Sequence, residues 1–181
     1  MQRKIVLASA SPRRQELIRH LQLEVEMIAS SVDESIDPSL TPQQIVEELA
    51  VRKACSVAEQ DHLRESDIIV IGSHTIVTLA GEIYGKPSDP EEAKRMLSKL
   101  QGNTHVVYTG LACVSVAGAH RLQNADDIQS NMPDAGKIVE CGRFRIERRD
   151  DRQLILVGHT ENMVTFRPMS NEEIQAYVQT G

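Results

Sequence analysis

The chain has 181 residues and 20.1 kDa, enough for one compact domain or two small lobes. With 40% hydrophobic and 25% charged residues it excludes wholesale disorder, while 3% aromatics and no Trp argue against a base-stacking nucleic-acid platform. A net charge of −6 makes the molecule as a whole repel polyanions, so no nucleic-acid partner is expected.

From the N-terminus, Lys4 to Ala8 is a short apolar, β-branched run that reads as a buried strand. Ser11-Pro12 supplies an N-cap followed by proline at the first helical position, and Leu17, Ile18 and Leu21 give the next segment an apolar stripe. A second helix is predicted from Thr41-Pro42, where Gln44 completes a capping box and Ile45, Val46, Leu49, Ala50 and Val57 form the buried face. Ile68 to Ile71 is another buried-strand run, and Ile76 to Tyr84 reads as a hairpin around Ala80-Gly81. Asp89-Pro90-Glu91-Glu92 opens a helix that runs through Leu100 and stops at Gly102. Val106 to Val116 is a strand, Leu154 to Phe166 holds one or two more, and Ser170 with Glu173 caps a last helix. Strands alternating with helices, together with a hairpin, predict an α/β fold on a mixed sheet.

One stretch departs from this regularity. Residues 121–153 are polar and charge-dense, with Arg143, Arg145, Arg148 and Arg149 close together. They read as a solvated surface excursion; a nucleic-acid arm is the sharper reading, diluted by Glu147, Asp150 and Asp151. Cys55, Cys113 and Cys141 form no CxxC pair and read as free thiols in a reducing cytoplasm. No apolar run approaches the ~20 residues of a membrane span, and the first residues lack the pattern of a signal peptide, so a cytoplasmic protein with no membrane partner is expected.

The net charge hides a local reversal. Residues 1–20 hold five basic residues (Arg3, Lys4, Arg13, Arg14, Arg19) against Glu16, whereas residues 21–50 hold seven acids and no Lys or Arg. Within the basic segment, Ser9-Ala10-Ser11-Pro12-Arg13-Arg14 lies where a strand feeds a helix. A helix N-terminus offers unpaired N–H groups to an anion, two hydroxyls add hydrogen bonds, and two guanidiniums can grip phosphate oxygens. The same residues also suit an ordinary Ser-Pro helix cap with solvated arginines, and chemistry alone leaves both readings open.

The stretch from Leu7 to Leu17 (LASASPRRQEL) resembles the signature of the Maf family of nucleoside triphosphate pyrophosphatases. Further matches follow in order: Val32-Asp33-Glu34, Arg52-Lys53-Ala54, Val70 to Thr75 (VIGSHT), Gly81 to Pro87 (GEIYGKP) and Met96 to Gly110. They cover residues 4 to about 115 almost without a break, and 166–181 resembles a later strand-to-helix segment of the family. The resemblance implies a single domain of α/β fold over 1–181, a mixed twisted sheet flanked by helices with two lobes around a central cleft, of the Maf/ITPase-like kind, and a homodimer. It implies hydrolysis of a nucleoside triphosphate to monophosphate and pyrophosphate with a divalent cation, Mg²⁺ or Mn²⁺. The SPRR form is similar to the branch acting on dTTP, UTP and modified pyrimidine nucleotides.

Carried over residue by residue, the resemblance assigns Ser9, Ser11, Arg13, Arg14 and Thr75 to substrate binding, Lys53 and Lys86 to catalysis, and Glu34 to the metal. A carboxylate is a hard ligand appropriate to Mg²⁺ or Mn²⁺, and Arg and Lys neutralise a triphosphate. At position 74 the family pattern Gly-Ala-Asp-Thr has its proton-accepting Asp, but this chain reads Gly72-Ser73-His74-Thr75. Histidine serves as a general base near neutral pH yet is a poor Mg²⁺ ligand, so His74 is the candidate base, and its presence implies either strongly reduced activity or activity with an altered metal preference or pH profile. The family also continues past this segment into an Asp-Lys-Ala-Gly loop, whereas the chain stops at Gly181; Pro133 to Lys137 is only superficially similar to that loop. Together these departures frame an alternative, a catalytically impaired nucleotide-binding relative with a regulatory role in cell division.

Overall fold

Lys4–Leu7 forms strand β1, and the backbone turns at Ser9 into helix α1, Pro12–Arg19. This computed structural model describes residues 3–63, 67–116, 138–141, 143–148 and 153–180. The remaining elements are β2 (Val25–Met27), α2 (Pro42–Ala58), β3 (Ile68–Leu79), β4 (Glu82–Tyr84), α3 (Pro90–Leu100) and β5 (Thr104–Val116). After them come β6 (Ile138–Cys141), β7 (Phe144–Arg148), β8 (Gln153–Thr165) and α4 (Asn171–Gln179). Local chemistry explains the helix starts. Thr41 and Gln44 cap α2 reciprocally, the Thr41 hydroxyl accepting from the Gln44 N–H at 3.3 Å and Gln44 Oε1 accepting from the Thr41 N–H at 2.9 Å. Asp89 accepts from the Glu92 N–H at 2.7 Å at the head of α3, and Ser170 with Glu173 repeats the capping box at α4.

The strands run in the order β2-β1-β3-β5-β8-β7-β6, with β4 antiparallel to β3. β1 is parallel to both β2 and β3, whereas β7 is antiparallel to β6 and β8, so the sheet is mixed as expected. The β3–β4 turn places Ala80 and Gly81 at positive φ, 51° and 85°, the primed-turn geometry of a tight hairpin.

Two compact units divide the chain. The first runs to His74 and resumes from Gly110 to His159; the second holds Thr75–Thr109 and the chain from Thr160. The core of the first unit includes Val6, Ala50, Ala54, Val57, Leu63, Ile68, Val70, Val114 and Val157. Here β3 and β5 lie directly on α2. A methyl group at Gly72 would stand 2.2 Å from the Ala50 carbonyl oxygen, and one at Gly110 would stand 2.1 Å from that of Val46. The second unit buries Ile76, Tyr84, Leu100, Tyr108 and Ile174, and the His105 and Phe166 rings meet edge-on with centroids 4.6 Å apart.

Some sequence expectations are corrected. The α1 stripe is not a buried face: Ile18 is buried, but Leu17 and Leu21 are 66% and 61% exposed. β2 carries no sequence signal, and β3 runs unbroken from the first apolar run into the hairpin. The polar excursion is not wholly a solvated detour, because its residues 138–141 and 144–148 pair as strands that extend the sheet beyond β8. Arg145 of β7 is ion-paired to Glu47 of α2, whose carboxylate also meets His159 Nδ1 at 2.6 Å. That network ties the β6–β7 hairpin to the helix. Residues 121–137 and 149–152, with Pro133–Lys137, Arg149, Asp150 and Asp151 among them, lie outside the described residues. Among the described residues, no helix is long and apolar enough to cross a membrane.

Candidate functional site

The first unit gathers polar side chains from three segments around the end of its β3 portion. Alternation along β3 puts Ile68, Val70, Gly72 and His74 on one face, and Gly72 is the point at which that face touches α2. Two residues beyond the contact, His74 arrives beside Lys53 of α2. The loop between β2 and α2 brings Glu34 to both. Lys53 Nζ lies 2.5 Å from Glu34 Oε1, and His74 Nδ1 lies 3.7 Å from Glu34 Oε2. The second distance is too long for a hydrogen bond.

Charge in this cluster is unevenly shielded. Glu34 is half-exposed, whereas the Lys53 and His74 side chains are only 13% and 14% exposed. The hydrogen bond from Lys53, against the opposing effect of partial burial, holds the Glu34 carboxyl below its ordinary value, with His74 and Arg14 contributing. Burial, reinforced by the neighbouring charge of Lys53 and opposed by Glu34, lowers the His74 pKa to about 4. The imidazole is therefore neutral at pH 7. Burial also lowers the Arg14 pKa, partly countered by Glu34, which places that guanidinium within electrostatic reach of the same carboxylate.

Arg13 and Arg14 differ in exposure and direction. Consecutive helical residues point in different directions, and Arg14 is half-buried toward the cluster while Arg13 is exposed. Ser9 is buried and serves the backbone: its Oγ accepts from the Ser11 N–H at 3.1 Å, and its carbonyl accepts from Gln15 Nε2 at 3.3 Å. Ser11 occupies the N-cap position, but its side chain makes no capping hydrogen bond. Thr75 and Lys86 belong to the second unit. There the Thr75 hydroxyl meets that of Thr109 at 3.1 Å, and Lys86 lies exposed after β4.

Two contributors escaped the sequence reading of roles. Asp33 closes a turn around Glu34 by accepting from Ser35, and Arg52 donates to the carbonyls on both sides of Glu34. The Asp-x-Ser spacing is a usable signal for the turn, whereas the Arg52-Lys53-Ala54 match marks the position of Arg52 without giving it a role.

The donor set bears on the implied cation. Among the described residues no three His, Cys, Asp or Glu side chains come together to hold a metal. Glu34 is the one carboxylate in the cluster, and an ammonium already contacts it. One carboxylate fits a Mg²⁺ or Mn²⁺ ion whose other ligands are phosphate oxygens and water, which is how Mg²⁺ commonly enters nucleotide sites.

The chain matches the family described as Maf-like protein over residues 4–181. It is 37% identical over 179 residues to a dTTP/UTP pyrophosphatase of Desulforamulus reducens, covering 99% of this chain and 74% of that relative. A dTTP/UTP pyrophosphatase of Pelotomaculum thermopropionicum is 36% identical over the same shares. One from Bacillus cereus is 49% identical over 113 residues, 62% of this chain and 57% of that protein. With a family match across nearly its whole length and relatives this similar, the chain belongs to the Maf-like protein family.

Proposed function

We propose that the protein hydrolyses nucleoside triphosphates, with dTTP and UTP as first candidates, to the monophosphate and pyrophosphate. The observation that carries the reading is the convergence of Arg14, Glu34, Lys53 and the neutral His74 beside the β1–α1 turn, in a chain whose relatives are named dTTP/UTP pyrophosphatases.

In this scheme Arg14 and Lys53 neutralise phosphate oxygens, with Arg13 and Ser11 as further phosphate partners at the start of α1. A water oxygen bonds to the α-phosphorus, the bond from that phosphorus to the bridging oxygen of the β-phosphate breaks, and pyrophosphate leaves. His74 takes the proton of the attacking water. A triphosphate beside the imidazole adds negative charge that raises its pKa from the unliganded value, making it a better base when substrate is bound. Glu34 holds Lys53 in place and is the side chain that would share a divalent cation with the phosphates. Such a cation, when bound, neutralises charge on the phosphate oxygens. Every proposed step uses residues of the first unit. The same proposal takes the enzyme to be a cytoplasmic homodimer, which light scattering and fractionation test directly.

The experiment for the activity is pyrophosphate release from dTTP, UTP and modified pyrimidine triphosphates, in Mg²⁺ and separately in Mn²⁺. Release should exceed that of Arg14→Ala by about 100-fold. Equal rates in the two proteins would remove the catalytic reading, and nucleotide binding without release would favour a binding role.

A further inference from the structure

The segment that presents Glu34 has neither helical nor strand pairing, and with 52% of its side chain exposed Glu34 is not fixed by burial. Two sets of polar contacts fix it instead. Asp33 Oδ1 accepts from the Ser35 N–H at 2.9 Å and Asp33 Oδ2 from the Ser35 hydroxyl at 2.7 Å, closing a tight turn whose middle residue is Glu34. Arg52 Nη1 then donates to the Asp33 carbonyl at 3.0 Å and the Ser35 carbonyl at 3.1 Å. These carbonyls stand immediately before and after Glu34, so a single guanidinium nitrogen ties down the chain on both sides of it.

Arg52 is itself oriented. Its other terminal nitrogen is ion-paired to Glu48, one turn earlier on α2. The next helical residue, Lys53, takes the Glu34 carboxylate at 2.5 Å. Adjacent residues of one helix thus hold one short loop in complementary ways, Arg52 by its backbone and Lys53 by its acid side chain. A lysine at position 52 would keep the charge but lose the planar fork that holds two carbonyls and Glu48 at once.

We infer that Arg52 is a positioning residue, which sets Glu34 against Lys53 and beside His74 by clamping the carbonyls of Asp33 and Ser35 to α2. The kinetic expression of this role rests on the proposed nucleotide hydrolysis; the clamp itself does not.

The test joins kinetics to amide hydrogen exchange on the full chain. Arg52→Ala should lower kcat by about 10-fold to 100-fold with KM little changed, because a loosened carboxylate is misplaced rather than removed. In a Glu34→Gln background the same substitution should cost nothing further, since the group it positions is already gone. Arg52→Lys should behave like Arg52→Ala. Exchange at residues 33–35 should quicken in both Arg52 variants, with exchange in β3 unchanged. Three results overturn the inference: full additivity with Glu34→Gln, restoration of wild-type kcat by Arg52→Lys, or unaltered exchange at 33–35. If the wild-type chain releases no pyrophosphate, the hydrolysis reading fails, and the exchange measurement alone decides the role of Arg52.

Discussion

Lys53 Nζ sits 2.5 Å from Glu34 Oε1 with only 13% of its side chain exposed, so the ammonium is held between a carboxylate and the imidazole whose charge it opposes. Lys53 lowers the pKa of both neighbours, for opposite electrostatic reasons. It stabilises the ionised form of Glu34 and penalises the protonated form of His74.

Lys53→Met removes both effects at once. The Glu34 carboxyl should move up toward its ordinary 4.5, and the His74 pKa should rise from about 4 while burial, the larger cause, keeps it below 6.5. NMR titration of the His74 ring reads the second shift directly, and an unmoved curve would show that burial alone sets it. Pyrophosphate release should fall by about 10²-fold to 10³-fold, as expected for losing one charge-stabilising group.

His74→Asp converts the cluster from one carboxylate to two. The new acid would stand close to Glu34, given that His74 Nδ1 is 3.7 Å from Glu34 Oε2. Without a cation, like charges at that spacing raise a carboxyl pKa and destabilise the fold by about 1–3 kcal/mol. With one, the paired acids form the better hard-cation site. Mn²⁺ affinity, followed by electron paramagnetic resonance, should rise by about tenfold, equivalent to about 1.4 kcal/mol. Mn²⁺ binding equal to wild type would mean that position 74 does not face the cation.

Much of the fold was legible because its determinants are local. Thr41 with Gln44, Asp89, and Ser170 with Glu173 announce their helices within four residues, and the structure uses each of the three as a cap. What failed depends on distant partners. The charges around Arg145 read as solvated because the acid that takes up this arginine, Glu47, is 98 residues away on α2. Leu17 and Leu21 follow helical spacing, yet spacing cannot say whether a face meets the sheet, and this one does not. β2 has three residues on the sheet edge and too short a span for any period to register. The grouping of Glu34, Lys53 and His74 came from family resemblance, since no interval in the sequence links a loop, a helix and a strand end. Arg52 falls in a family match, but its hold on the Glu34 loop was not legible, because its partners there are backbone carbonyls, which leave no side-chain signature.

Gly72→Ala tests the packing that delivers His74 to Lys53. The added methyl would lie 2.2 Å from the Ala50 carbonyl oxygen and 2.8 Å from the Ala54 nitrogen, both backbone atoms of α2 that move only if the helix moves. Overpacking of this kind costs about 3 kcal/mol, or a fall of roughly 6–12 °C in Tm. Gly85→Ala, where no atom lies within 4 Å of the added methyl, is the control. A Gly72→Ala protein with wild-type Tm would contradict the direct contact between β3 and α2.

The tie between α2 and the β6–β7 hairpin should give stability a dependence on pH. Glu47 is buried at 8% exposure, which by itself raises its pKa, but hydrogen bonds from His159 and Arg145 outweigh burial and leave it below the ordinary 4.5. A carboxyl depressed in the folded state adds stability that is complete above its unfolded value and is lost as pH falls through the folded one. Wild-type Tm should therefore drop as pH is lowered below about 4.5, with part of that drop belonging to Glu47. Glu47→Gln keeps the shape but cannot ionise, so at pH 7 it should be less stable than wild type by about 1–3 kcal/mol. The difference should shrink as acid protonates Glu47 in the parent protein. Differential scanning calorimetry of both proteins from pH 7 to about pH 3 makes the comparison. A gap in Tm that stays constant across that range would show that the Glu47 charge contributes nothing to holding the hairpin on the helix.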